Sequence, residues 1–181
     1  MKRIAWTFGL IAGAVLAAML LLTAALRDHI SFDKAELIGY TSMVAAFLMV
    51  FFGIKSYRDT VLNGSIRFGQ AVRAGMLITA VSCLCYMATW EVLYYQVYPD
   101  FGTRYAEAAV AKAKANGASE EQLARTRAQM AKYQEMYKNP FINAAITIVE
   151  PLPVGLLVTL VSAGVLARKR GRVGKPVVRV A

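Results

Sequence analysis

Four apolar runs, residues 4–26, 37–54, 71–98 and 141–167, constrain this 181-residue chain more than any other feature. A helix rises about 1.5 Å per residue, so about 20 apolar residues cross the roughly 30 Å hydrocarbon layer of a bilayer. All four runs reach that length, the second only marginally, and the first two contain no charged residue. With 57% hydrophobic residues, the composition also departs from that of an ordinary soluble domain. A soluble core helix is the alternative for residues 37–54, disfavoured by the three spans around it. A cleavable signal peptide is the alternative for residues 4–26. Lys2 and Arg3 resemble its charged start, but the apolar run exceeds the usual 7–15 residues, so we read a retained span.

The placement of Lys and Arg gives an orientation. Lys2 and Arg3 precede the first run, and Lys55, Arg58, Arg67 and Arg73 are taken as the second loop, Arg73 falling just inside the third run. Arg168, Lys169, Arg170, Arg172, Lys175 and Arg179 follow the fourth. The short first loop offers only Arg27 and Lys34 against Asp28, Asp33 and Glu36. The positive-inside bias therefore places both termini and the second loop in the cytoplasm, and residues 99–140 outside. The formal net charge of +10 does not imply nucleic acid, because six of the cations form the tail directly after a span. Such a tail fixes topology or meets anionic lipid headgroups. Cys83 and Cys85 are two residues apart on one helix, project from different faces, and are read as packing residues. One histidine, His29, and no thiol cluster leave no legible metal site and no cofactor.

Along the chain, Gly9, Gly13 and Ala17 repeat every four residues and form a groove for close helix approach, within the bundle or across a homo-oligomer. Tyr57 and Arg58 suit the headgroup level, and Ile66 and Phe68 are read as lipid-facing residues before the third span. Trp90, Tyr94, Tyr95 and Tyr98 form an interfacial belt that Pro99 terminates. Residues 99–140 read as a helical hairpin. A first arm spans 101–115, Asn116-Gly117 stops it, and Ser119 to Gln122 form a capping box that opens a second arm through about Lys138. Leu123, Met130, Tyr133 and Tyr137 give that arm a semi-apolar stripe, for packing on the first arm or docking a partner. An echo links residues 75–82 to 155–162, where Gly75, Thr79 and Ser82 match Gly155, Thr159 and Ser162. We read it as shared small-residue packing rather than a transporter repeat.

Two acids interrupt the apolar runs. An Asp at the centre of a spanning helix costs roughly 2.5–3.5 kcal/mol on insertion scales, so Glu91 and Glu150 call for partners or a task. Asn143, Thr147 and Glu150 share one helix face, and Pro151 and Pro153 withhold backbone donors from the carbonyls of Thr147 and Val149. From the run boundaries, Glu91 and Glu150 lie roughly 10 and 13 Å below the outer surface. If they face each other, like charge protonates one of them, and Tyr94 and Tyr95 complete a polar cleft. Such a cleft suits a lipid headgroup, a small cation or a proton relay. In the plainer reading, Glu91 snorkels into the aromatic belt and Glu150 bonds a neighbouring hydroxyl to fix bundle register. No nucleophile–base arrangement is visible, so no catalytic residue is assigned.

Several stretches carry a family resemblance: Glu36 to Tyr40, Phe52 to Asp59, Met136 to Pro140, and Glu150 to Leu156. Together they resemble the domain-of-unknown-function 4199 family of small bacterial integral membrane proteins, over about Arg3 to Arg170. The resemblance implies a four-span inner-membrane protein and no particular activity. The expected fold is all-α and polytopic. Three spanning helices lie within 1–98, an extracytoplasmic hairpin in 99–140, the fourth helix in 141–167, and a basic cytoplasmic tail in 168–181. The expected function is non-enzymatic recognition of a membrane lipid or membrane-protein partner, with a small proton- or cation-coupled transporter as the alternative.

Overall fold

The computed structural model describes residues 1–26 and 29–167, all of whose regular structure is helical. The helices are α1 (Lys2–Ala25), α2 (Phe32–Thr60), α3 (Phe68–Val92), α4 (Phe101–Ala115), α5 (Glu120–Tyr137), α6 (Pro140–Val149) and α7 (Leu152–Leu166). A π-helical turn, Leu93–Val97, extends α3. Four of the resulting segments are long and apolar enough to cross a membrane: Lys2–Ala25, Phe32–Thr60, Phe68–Val97 and Pro140–Leu166. The basic tail expected to touch lipid lies outside the described residues.

Close backbone contacts at glycine organise the bundle. A Cβ added to Gly9 would lie 2.6 Å from Cβ of Val81, and one added to Gly13 would lie 2.6 Å from Cβ of Cys85. The missing side chains let α1 settle directly on α3, and the Ser82 hydroxyl donates to the Gly9 carbonyl at 3.1 Å across that seam. Gly9 and Gly13 thus pack within the bundle; the buried line continues through Leu16, while Ala17 is half-buried.

The sequence echo becomes a reciprocal contact between α3 and α7. A Cβ on Gly75 would strike Cγ2 of Thr159 at 2.6 Å, and one on Gly155 would strike Cγ2 of Thr79 at 2.4 Å. The two threonine hydroxyls meet at 3.3 Å, fully buried. Each glycine receives the other helix's threonine, so two matching segments run antiparallel at one level. Phe47, Val50, Ile54 and Ile78 fill the space beside them with no solvent exposure. Ile66 corrects the lipid-facing expectation: at 7% exposure it belongs to this core, whereas Phe68 remains half exposed. The loop turns Ile66 inward because α3 starts only two residues later, leaving no separate interfacial segment.

Helices α4 and α5 lie against each other, joined through Gly117 at φ +79°, where a side chain would be strained. Ser119 and Gln122 form the reciprocal cap expected of their spacing. Leu123 is buried, and Met130 and Tyr137 are partly buried. Tyr133 corrects the stripe: it is 44% exposed, and the inward place goes to Gln134, whose amide donates to the Gly102 carbonyl at 2.9 Å. The 3.6-residue helical period favours spacings of four then three from Met130, which passes Tyr133 by. The pair docks on the start of α2, where the Phe32 ring meets Phe101 and Tyr105 at 6.0 and 5.5 Å. Lys112 adds a 2.6 Å ion pair to Asp33, and that hydrogen bond raises the lysine's pKa.

Candidate functional site

The polar residues of α6 face α3. Asn139 caps α6 by accepting from the N–H groups of Phe141 and Ile142, and Pro140 occupies the first turn, where its missing donor is harmless. That start sets Asn143 and Thr147 one turn apart on the inner face. Asn143 is completely buried and has three side-chain partners. Its Oδ1 accepts from Trp90 Nε1 at 3.0 Å and from the Thr147 hydroxyl at 3.2 Å, while Nδ2 donates to the Tyr95 hydroxyl at 3.4 Å. Tyr95 in turn donates to the Tyr137 carbonyl at 2.8 Å, tying this network to the end of α5. The π-helical turn contributes here, because one extra residue in the turn re-aims Tyr94 and Tyr95 relative to a plain α-helix. Tyr94 enters an aromatic group with Trp90, Tyr95, Phe101 and Tyr137, at centroid distances between 5.0 and 6.2 Å.

Glu150 stands just below this network at the α6–α7 break. Its Oε2 accepts from the Tyr86 hydroxyl at 3.0 Å. Tyr86 is 7% exposed, whereas Glu150 opens onto the side of the bundle. The carboxylate also acts electrostatically on Tyr137, where burial together with Glu150 raises the phenol pKa. Glu36 on α2 acts electrostatically on Glu150. Pro151 is buried in the junction and Pro153 is exposed. Covalently, Pro151 denies Thr147 its helical donor, and the chain restarts as α7 with Gly155 N–H bonding the Pro151 carbonyl.

Glu91 has different surroundings. Its Oε1 is buried without a hydrogen-bond partner. Among the described residues, no hydrogen bond joins Glu91 to Glu150. The structure thus gathers Asn143, Thr147 and Tyr95 into one network, puts Tyr94 in the aromatic group and leaves Glu91 alone. Two open grooves, of about 440 and 400 Å³, lie between α1 and α2 and touch neither acid.

Sequence reasoning missed Tyr86, the bond of the belt residue Trp90 to Asn143, and the influence of Glu36. The first two had a signal: Gly75, Thr79, Tyr86 and Trp90 recur at helical spacing, so the face that packs on α7 continues upward to meet α6. Glu36 had none, because only the folded bundle brings α2 beside the α6–α7 break.

Comparison with known protein families matches residues 7–168 to the family described as "Protein of unknown function (DUF4199)". The chain belongs to that family. Neither a curated protein nor a solved structure matches it. The match reaches from α1 to the end of α7, so the site residues all lie within the segment that defines this family.

Proposed function

We propose that this DUF4199 protein is a non-enzymatic binding protein of a bacterial inner membrane. Both termini lie in the cytoplasm and residues 99–140 outside, and Glu150 accepts the ammonium group of a membrane-lipid headgroup. The carrying observation is an exposed glutamate with one tyrosine donor and no ion pair to Lys or Arg among the described residues. An acid held within a spanning segment is rarely kept without a partner or a task. The α4–α5 pair packs on this end of α3 through Tyr137 and Phe101, which meet Tyr95 and Tyr94.

Native mass spectrometry of protein taken from mixed phosphatidylethanolamine–phosphatidylcholine nanodiscs tests this reading. A charged hydrogen bond contributes about 1.5–3 kcal/mol. Wild-type protein is therefore expected to retain the ethanolamine lipid roughly tenfold or more over Glu150→Gln. Equal retention of both lipids by both proteins rejects the headgroup reading, and a co-purifying protein lost in Glu150→Gln replaces it with a partner interface.

A second reading, proton- or cation-coupled transport, draws on the unpartnered buried oxygen of Glu91, since intramembrane acids of this kind serve proton relays. It requires a flux driven by a pH gradient in proteoliposomes that disappears in Glu91→Gln or Glu150→Gln. Absence of flux rejects it.

A further inference from the structure

At the opposite end of the bundle, the start of α1 and the end of α2 flank an open groove of about 400 Å³. Its walls combine a cation, hydroxyls and apolar surface: Arg3, Ile4, Thr7 and Phe8 from α1 face Ser56 and Thr60 from α2. We propose that this groove is a binding site for an anionic glycerophospholipid whose headgroup also carries hydroxyl donors. It is separate from the Glu150 site in position and in the charge it selects.

Three observations converge on that ligand. The first is uncompensated charge. Arg58 is occupied by Asp59 at 2.7 Å, while Lys2, Arg3 and Lys55 have no ion-pair partner among the described residues. Asp59 is the one acid between Glu36 and Glu91, and none precedes Asp28, so little negative charge is available locally. A single phosphodiester supplies it. The second is the state of the hydroxyls. Thr7 donates to the Arg3 carbonyl at 3.0 Å and Thr60 to the Ser56 carbonyl at 2.7 Å. With their protons committed, both oxygens present acceptors to the groove, which suit headgroup hydroxyls rather than the phosphate itself. The third is depth. Trp6 is 57% exposed next to the groove, in the position of an interfacial anchor, and Ile4 and Phe8 supply an apolar floor for the glycerol and upper acyl chain.

Division of labour follows from these three. Arg3 takes the phosphate, Thr7 and Thr60 take the headgroup hydroxyls, and the apolar floor requires that the phosphate arrive on a lipid. Basic pockets between spanning helices at the membrane surface recognise anionic headgroups by the same physics.

The test uses the full chain, purified in detergent and titrated with phosphatidylglycerol, phosphatidylcholine or inorganic phosphate, with binding read by native mass spectrometry and thermal shift. Phosphatidylglycerol is expected to bind and stabilise at concentrations where the other two do nothing. Arg3→Gln should weaken it about fivefold, as expected for one interfacial cation. Thr7→Val with Thr60→Val keeps every charge, and should reduce the preference for phosphatidylglycerol over phosphatidic acid; this pair serves if Arg3→Gln fails to insert. Glu150→Gln should leave phosphatidylglycerol binding unchanged, so the two sites succeed or fail independently. Equal binding of phosphatidylcholine, protection by inorganic phosphate alone, or affinity unaltered by all these groove substitutions would overturn the proposal.

Discussion

A few side chains concentrate the energetics of this bundle. Gly155 has Cγ2 of Thr79 at 2.4 Å and Phe47 at 3.1 Å from where a Cβ would sit, whereas nothing lies within 4 Å of the same position at Gly164. Overpacking a close-fitted core costs about 1–3 kcal/mol. Gly155→Ala should therefore lower stability by that amount in a denaturant titration in detergent, and Gly164→Ala should be close to neutral. Equal effects at both positions would contradict the reciprocal Gly–Thr contact. Asn143 is the polar counterpart. Its replacement by Leu strands the donors of Trp90 and Thr147 and leaves Tyr95 without its amide donor. An unsatisfied buried polar group costs about 1–3 kcal/mol. Asn143→Leu should therefore destabilise, with the Trp90 fluorescence changing as its indole N–H loses its acceptor.

Among the elements, the α6–α7 break and the α4–α5 pair were legible to different degrees. Pro151 and Pro153 marked the break because a pyrrolidine nitrogen has no proton to donate, a covalent fact that no tertiary contact overrides. The arms of the outer pair were legible to the residue at Phe101–Ala115, because Asn116, Gly117, Ser119 and Gln122 are local signals with local consequences. The inward face was harder. Tyr133 and Gln134 compete for one register position, and the winner depends on Gly102 offering its carbonyl across the pair. Gln134→Leu should leave the helices formed but free the start of α4. Hydrogen exchange is expected to accelerate around residues 101–106 relative to α5, and uniform protection in the variant would show that this bond is dispensable. The π-helical turn was not legible, since nothing in Leu-Tyr-Tyr-Gln-Val distinguishes it from an α-helical run by period alone.

At the scale of the whole molecule, composition and charge bias made four spans readable because hydrocarbon imposes a length and leaves few alternatives. The relation between the two acids was not readable. Their depths were estimated separately from run boundaries, whereas their facing depends on the rotation of α3 and on where α2 enters. In the folded bundle Tyr86 bonds Glu150, whereas Oε1 of Glu91 is buried without a hydrogen-bond partner. The account therefore rests on Glu150 as an acceptor open to the surroundings of the bundle. A benzoylphenylalanine placed at Val149, 61% exposed beside Glu150, probes that opening, with Leu157, 63% exposed on α7, as its control. In native membranes, the account predicts one dominant aminolipid adduct at position 149, lost when Glu150→Gln is combined with the probe, and mixed lipid adducts at position 157. The same mixed adducts at both positions, unaltered by Glu150→Gln, would contradict it.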